Sequence, residues 1–228
     1  MSTEHDYRPA LSHRVLTPLY DPLMRWTMRE STFRTRLVAQ ADVQPRSRVL
    51  DLGCGTGTLT ILLQQAVPEA EVIGIDADPD VLEIARRKAE SAGTVLRLAQ
   101  GDATALPYAD GSFDRVVTSL LFHHLAAEAK RSVAREVFRV LRRGGSLHVA
   151  DWGRPQNVLM RLAFVAVQLL DGFATTGENV AGVLPRVFQG AGFDPVVEQG
   201  HLATAFGTLS LYRAEKPATA GVAAPRGF

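Results

Sequence analysis

The sequence is short of cysteine, of net charge and of long apolar runs, and each shortage excludes a class of protein. Its one cysteine, Cys54, excludes an intramolecular disulfide framework and a cysteine-based metal cluster. The 25 Lys and Arg residues nearly cancel the 24 Asp and Glu residues, so no overall charge attracts the chain to nucleic acid. We therefore expect no nucleic-acid partner.

The sequence also lacks a segment that suits a membrane span or a secretion signal. The most apolar run, from Val158 to Leu170, is shorter than the ~20 apolar residues of a spanning helix and includes Arg161 and Gln168. The first residues, Met1 to Pro9, are polar and carry acidic groups, unlike a signal peptide. We expect a cytoplasmic protein without stable membrane insertion.

Short β-branched runs alternate with helical patterns from Arg48 to Asp151, which is typical of βαβ units and a parallel sheet. Two later runs joined by a short turn predict an antiparallel pair at one edge of the sheet. The predicted fold is α/β, a Rossmann-like doubly wound sheet of seven strands in three α/β/α layers. It is mostly parallel, with an antiparallel C-terminal edge strand. The predicted strands are Arg48–Leu52, Glu71–Asp76, Val95–Gln100, Asp114–Ser119, Ser146–Trp152, Phe193–His201 and Phe206–Ala214.

The helix after the second strand has clear start and stop signals. Asp78 suits its N-cap, Pro79 its first turn and Gly93 its end. Two further helices are predicted at Ala126–Arg142 and Val180–Gly190, and an amphipathic helical segment at Leu11–Ala41. These patterns divide the chain into an N-terminal helical lid (1–45), a ligand-binding domain (46–216) with a substrate-side helical insertion (154–179), and a disordered tail (217–228).

The strongest motif is the stretch Val49–Gly57, in which an apolar strand runs into three glycines just before a helix begins at Thr58. Glycines at such a turn allow a positive φ and let a ligand lie directly against the backbone. A dinucleotide fingerprint needs its last glycine where this chain has Thr58. The carboxylate of Asp51 would repel a pyrophosphate, so the motif favours a cationic ligand.

The motif Asp51–Gly57 resembles motif I of class I methyltransferases that depend on S-adenosylmethionine (SAM). The wider pattern, from about Arg46 to Trp152, is similar to the branch with the ubiquinone and menaquinone biosynthesis methyltransferases. The resemblance implies SAM as cofactor, S-adenosylhomocysteine (SAH) as product and a small-molecule acceptor. The cofactor-binding residues are predicted to follow the first four strands: Asp51, Gly53, Cys54, Gly55, Gly57, Asp76, Ala77, Gly101, Asp102, Ala103, Ser119 and Leu120.

The resemblance and the charges of the side chains predict roles for individual cofactor-binding residues. The carboxylate of Asp76 can accept hydrogen bonds from both ribose hydroxyls, and Ala77 can line the adenine pocket. The resemblance implies that Asp102 accepts the adenine amino group, although a turn aspartate is the alternative. Ser119 and Leu120 are expected to lie beside the methionine moiety of SAM. Tyr20 can reach the cofactor by analogy with family lids, with a packed lid aromatic as the alternative.

The candidate catalytic residues are His123, His124 and Asp151. Ligands of open parallel sheets bind outside the carboxyl ends of the strands, so the histidine pair is expected near the transferred methyl group. Either histidine can serve as a general base, or can simply cap or pack against the next helix. The chain lacks the thiols and acidic ligand sets of other methyltransferase classes, so no metal is expected.

The segment Asn157–Gly172 is apolar on nearly all sides and is predicted to be a helix buried on more than one side. We interpret it as the wall of a largely apolar acceptor pocket, with a homodimer interface or a lid contact as the alternative. Two other functions stay open at this point: a SAM-binding module without catalysis, and an NAD(P)-binding oxidoreductase.

Overall fold

The computed structural model describes residues 30–171 and 173–219. Most of the predicted lid, including Tyr20, and the tail from residue 220 lie outside these ranges. The helices are α1 Glu30–Ala41, α2 Thr58–Ala66, α3 Pro79–Ser91, α4 Ala127–Val140, α5 Val158–Asp171, α6 Phe173–Val180 and α7 Leu184–Gly190, with a 3-10 turn at Phe122–His124. The strands are β1 Arg48–Leu52, β2 Glu71–Asp76, β3 Arg97–Gln100, β4 Phe113–Ser119, β5 Leu141–Trp152, β6 Val196–Thr204 and β7 Gly207–Glu215.

The seven strands form one sheet in the order β3-β2-β1-β4-β5-β7-β6. Strands β1 to β5 are parallel, and β7 is antiparallel to both β5 and β6. The predicted fold class is therefore confirmed, with the reversed strand β7 lying one place inside the edge strand β6. The chain order reverses between β1 and β4, which opens a crevice at their carboxyl ends.

Helices cover the two faces of the sheet and form two apolar cores. Helices α1 and α2 pack on one face, together with a residue of α5, and α4 and α7 pack on the other. The first core includes Phe33, Leu37, Val49, Leu59, Leu63, Trp152 and Phe164. The second includes Leu50, Leu52, Phe122, Val133, Val137, Leu184, Phe188 and Tyr212.

Helix α4 ends, and β5 begins, earlier than the sequence predicts. The predicted helix reaches Arg142 and the predicted strand starts at Ser146, whereas β5 already begins at Leu141. Contacts with Lys216 account for the difference: its Nζ donates to the carbonyl oxygens of Phe138 and Leu141, each at 2.7 Å. Its backbone N–H donates to the Gly145 carbonyl oxygen, so the segment is held as a strand by a residue far away in sequence.

The predicted Val180–Gly190 helix begins four residues later in the structure. Helix α6 ends at Val180 and α7 begins at Leu184, with a turn between them in which Gly182 has φ +70°. Because that conformation suits glycine far better than other residues, the turn between the two helices forms at little cost.

Candidate functional site

The glycine loop, residues 53–57, leaves an open stretch of backbone at the end of β1. Gly53, Gly55 and Gly57 have φ of +67°, +51° and +72°. A Cβ at Gly53 would lie 2.9 Å from Leu121 Cδ1, and one at Gly57 would lie 2.9 Å from Ala85 Cβ, so packing requires both glycines. No atom of the described residues lies within 4 Å of a Cβ built at Gly55. Gly55 is therefore the position where a ligand can lie against the backbone.

Hydrogen bonds bring the ends of the first three strands together at this loop. The backbone N–H of Gly53 donates to the Ile75 carbonyl oxygen at 2.9 Å. The Gly55 N–H donates to Asp76 Oδ2 at 2.8 Å, and the Gly101 N–H donates to the Asp76 carbonyl oxygen at 2.9 Å. The predicted site residues after β1, β2 and β3 therefore share one edge of the sheet.

The three aspartates after β2 and β3 have different surroundings. Asp76 Oδ1 accepts the Asp78 N–H at 3.1 Å, and each carboxylate oxygen can accept further donors. Asp78 Oδ1 accepts the Asp80 N–H at 2.8 Å, which confirms it as the N-cap of α3. Asp102 is exposed, and its Oδ1 accepts both the N–H and the hydroxyl of Thr104 at 2.8 Å. Its predicted adenine contact stays a prediction.

Ala77 and Ala103 flank these aspartates. Ala77 is exposed, and its carbonyl oxygen accepts Gln100 Nε2 at 3.2 Å, which ties the ends of β2 and β3 together. Ala103 is half-buried and packs against the α4 face of the core. Both lie on the side of the crevice where an adenine pocket is predicted.

Asp51 is buried beneath the glycine loop. It is 1% exposed, and its Oδ2 accepts the Thr60 hydroxyl at 2.6 Å. Burial raises the pKa of Asp51 from its ordinary value to about 7. The Thr60 hydroxyl and the Arg34 guanidinium lower the pKa again only in part, so a cationic ligand close to this carboxylate would stabilise its ionised form.

Cys54 has a packing role in the same loop. Its side chain is buried, and its Sγ lies 3.0 Å from the position of a Cβ built at Gly74 on β2. Burial raises the pKa of the thiol, so the thiolate that a nucleophile requires is disfavoured. Cys54 can shape the loop, but its thiol is unsuited to covalent catalysis.

The end of β4 reaches the glycine loop through residues 119–121. Ser119 and Leu120 are half-buried, and Leu121 packs where Gly53 has no side chain. Leu120 has φ +58°, a left-handed conformation that costs a non-glycine residue free energy. Its N–H donates to the Ala150 carbonyl oxygen at 2.8 Å, which holds this conformation in place.

The structure brings two of the three predicted catalytic residues into contact. His123 Nδ1 lies 2.9 Å from Asp151 Oδ1, and both side chains are buried. Asp151 also accepts the N–H groups of Phe122 and Trp152, each at 2.7 Å, so backbone donors hold both of its oxygens. His124 is exposed, and its ring centroid lies 3.9 Å from that of His123.

The acceptor-side insertion is only partly buried. Phe164 of α5 is 1% exposed, and its ring packs 5.2 Å from the Trp152 ring. Val158 and Leu162 are 76% and 63% exposed among the described residues, so the predicted burial of α5 on more than one side stays a prediction there. Among the described helices, none has both the length and the apolarity that crossing a membrane requires.

Sequence reasoning missed a buried residue of this insertion, Asn179 of α6. It is 0% exposed, and its Nδ2 donates to Asp151 Oδ1 at 3.1 Å. A single asparagine in a helical pattern carries no signal of burial, because such a residue usually faces solvent. Asn179 contacts Asp151 only because helix α6 packs over the end of β5.

Comparison with known proteins places this geometry among methyltransferases. Residues 49–145 match the family described as "Methyltransferase domain". The chain is 40% identical over 151 residues to the demethylmenaquinone methyltransferase of Thermus thermophilus, covering 65% of this chain and 68% of that protein. It is 34% identical to the Deinococcus radiodurans enzyme of the same name, covering 65% of this chain and 62% of that protein.

Solved structures share the fold at lower identity. The YcgJ protein of Bacillus subtilis has a TM-score of 0.68 at 21% identity, covering 82% of this chain and 99% of that one. A phosphoethanolamine N-methyltransferase of Haemonchus contortus, solved with SAH, has a TM-score of 0.67 at 14% identity. That match covers 82% of this chain and 52% of the Haemonchus chain. At these identities the likeness supports the fold alone.

Proposed function

This chain belongs to the class I SAM-dependent methyltransferase family, and we propose that it transfers a methyl group from SAM to a small, largely apolar acceptor and releases SAH. The observation that carries the proposal is the open backbone at Gly55 beside the Asp76 carboxylate. A ligand that lies against this backbone is next to the Asp76 carboxylate, whose oxygens can each accept another hydrogen bond. This arrangement suits the two hydroxyls of a ribose.

The residues around the crevice fit SAM in charge as well as in shape. The buried carboxylate of Asp51 gains from a nearby cation, and SAM carries an ammonium group and a sulfonium. Asp76 would hold the ribose, while Asp102 would meet the adenine. When bound, SAM supplies a methyl group on a good leaving group, so the protein mainly has to align the acceptor with it.

The acceptor is proposed to be apolar and aromatic, in the manner of a quinol. The curated relatives with 40% and 34% identity are named for the methylation of demethylmenaquinone. Apolar side chains lie at the ends of two central strands, because Leu120 and Leu121 follow β4 and Trp152 ends β5. Apolar side chains around a site exclude water and favour the binding of an apolar ring.

The acceptor class can be tested by SAH release with a panel of small molecules. We expect 1,4-naphthohydroquinone to be methylated at a kcat/KM about ten-fold or more above those of glycine and phosphoethanolamine, because an apolar pocket leaves their charged groups unpaired. Turnover of the polar amines alone would contradict the acceptor class. Binding of SAH without turnover of any acceptor would favour the alternative of a non-catalytic SAM-binding module.

Cofactor choice is tested separately by thermal unfolding. SAH at about 100 times its Kd should stabilise the protein by about 2.7 kcal/mol, because it binds only the native state. NAD and NADP at the same concentrations should leave the Tm unchanged, because the Asp51 carboxylate disfavours a pyrophosphate and the glycine spacing does not match a dinucleotide fingerprint. Stabilisation by NAD or NADP but not by SAH would instead support an oxidoreductase.

A further inference from the structure

A groove lies between helix α1 and the outer strands β7 and β6. Its volume is about 300 Å³, at the lower end of the range typical of ligand pockets. In the sheet, β7 lies two places from β4 and three from β1, so about 10–14 Å of strand spacing separates it from the strands that flank the cofactor crevice. The residues that line the groove are Arg36, Gln40, Gln199, Gly200, Leu211 and Arg213. The groove is therefore separate from the glycine loop.

The lining of the groove is cationic. Arg36 of α1 and Arg213 of β7 each contribute a guanidinium group, and no carboxylate of the described residues lines the groove. Arg36 is exposed and forms no ion pair with a described residue. Arg213 Nη2 pairs with Glu215 at 2.9 Å, but its Nε is buried and has no hydrogen-bond partner in the described part of the chain. A buried donor of this kind calls for an acceptor, which a bound anion would supply.

Contacts beside the groove hold the two arginines on facing elements. Gln40, one helical turn after Arg36, donates from Nε2 to the Tyr212 carbonyl oxygen at 2.8 Å, and this nitrogen lies 3.3 Å from His148 Nδ1. Because Tyr212 directly precedes Arg213 on β7, the contact fixes α1 against the strand at this point. A helix and a strand therefore present the guanidinium groups, so little backbone ordering is needed when a ligand binds.

The charges around the groove also favour an anion. His148 is 1% exposed, and burial lowers its pKa to about 3, with further lowering by the charges of Arg115 and Arg213. Burial also lowers the pKa of Arg115, and the charge of Arg213 adds to this effect while Asp114 opposes it. Arg115 and Arg213 are therefore close enough to repel each other. An anion in the groove would offset that repulsion.

A bulge in the edge strand β6 completes the groove. The pairing register between β6 and β7 shifts between Glu198 and Gly200, which makes Gln199 an extra residue. Bulges at sheet edges redirect a side chain, and Gln199 joins the lining here. At Gly200, a built Cβ would meet no atom of the described residues within 4 Å. The groove therefore has a neutral amide beside its cations and a stretch of open backbone.

We propose that this groove binds a phosphate group, held between the guanidinium groups of Arg36 and Arg213. A guanidinium presents its N–H donors in a fixed fork that matches two oxygens of a phosphate. Two such forks and the Gln199 amide supply more donors than the two oxygens of a carboxylate can use, whereas a phosphate monoester offers three acceptor oxygens and a charge of about −1.5 to −2. The proposal goes beyond the methyltransferase function and does not depend on it. The phosphate belongs either to a soluble molecule or to a lipid headgroup.

Binding of inorganic phosphate to the full chain tests the site. Calorimetric titration, with the ionic strength held constant by sodium chloride, should show saturable binding at a single site. Arg36→Gln and Arg213→Gln should each weaken it by about ten-fold or more, because each loses charge-assisted hydrogen bonds. Arg87→Gln is the matched control: Arg87 on α3 also pairs with an acid, Glu83 at 3.1 Å, but lies outside the groove. Its substitution should leave the phosphate affinity unchanged.

Two results would overturn the proposal. The first is a wild type that binds no phosphate, or that binds it with the same affinity as Arg36→Gln. Because Arg36 is exposed, this variant keeps the test valid even if Arg213→Gln fails to fold. The second is displacement of the phosphate by SAH, since the phosphate would then lie in the cofactor crevice.

Vesicles distinguish the two sources of the phosphate. If the ligand is a lipid headgroup, the protein should sediment with phosphatidylcholine vesicles that contain phosphatidic acid, and inorganic phosphate should release it. Arg36→Gln should then sediment less, while Arg87→Gln should behave as the wild type. Binding of inorganic phosphate without sedimentation would assign the groove to a soluble phosphate-bearing molecule.

Discussion

Gly55→Ala is expected to abolish cofactor binding while the protein still folds. Gly55 has φ +51°, and a Cβ there would meet no atom of residues 30–171 or 173–219 within 4 Å. The added methyl group would instead occupy the space where the ligand lies against the backbone, and a loss of about 3 kcal/mol in binding corresponds to more than 100-fold in Kd. The left-handed conformation should cost the fold about 1–2 kcal/mol. Calorimetric titration with SAH and urea unfolding measure the two effects.

Gly93→Ala is the matched control for this experiment. Gly93 follows α3, has φ +62°, and a Cβ built there likewise has no atom of the described part of the chain within 4 Å. Its substitution should lower stability by a similar amount and leave the Kd for SAH unchanged. If both variants lost SAH binding equally, backbone strain would explain the result and Gly55 would not mark the ligand site.

The sheet could be predicted because its strands and helices carry local signals. The strand ending in Leu52 is a buried apolar run, and Asp78 and Pro79 fix the start of α3. The prediction failed at Leu141–Gly145, where two arginines and two glycines are typical of a turn. Pairing with Lys216 decides the conformation there, and no local pattern reveals a partner so far along the chain.

The candidate site likewise has features that the sequence predicts and features that it does not. The glycine loop is visible in the sequence, because three glycines so close together are uncommon unless the backbone requires them. The left-handed Leu120 and the buried Asn179 are not visible, since contacts from β5 and from the end of α6 impose them. Burial of a polar side chain depends on elements that lie far apart in sequence, so it emerges only from the fold.

Asp51→Asn is expected to stabilise the protein. Burial raises the pKa of Asp51 from 3.8 to about 7, so ionisation is less favourable in the folded state than in the unfolded chain. The cost appears as the pH rises from about 4 to about 7 and is complete above pH 7. At pH 8 the asparagine should therefore add about 2 kcal/mol of stability and about 4–8 °C to the Tm, while near pH 4 the two proteins should be alike.

The same substitution is expected to weaken SAM binding, because it removes the charge that faces the cationic ligand. In the wild type, SAM should bind up to about ten-fold more tightly at pH 8 than at pH 6, since only the ionised carboxylate attracts a cation. In Asp51→Asn this pH dependence should disappear, and the Kd at pH 8 should rise by about ten-fold or more. Glu69→Gln, which removes an exposed acid outside the crevice, should change neither stability nor affinity. A variant that gained stability yet kept the wild-type pH dependence of SAM binding would show that Asp51 does not face the bound cation.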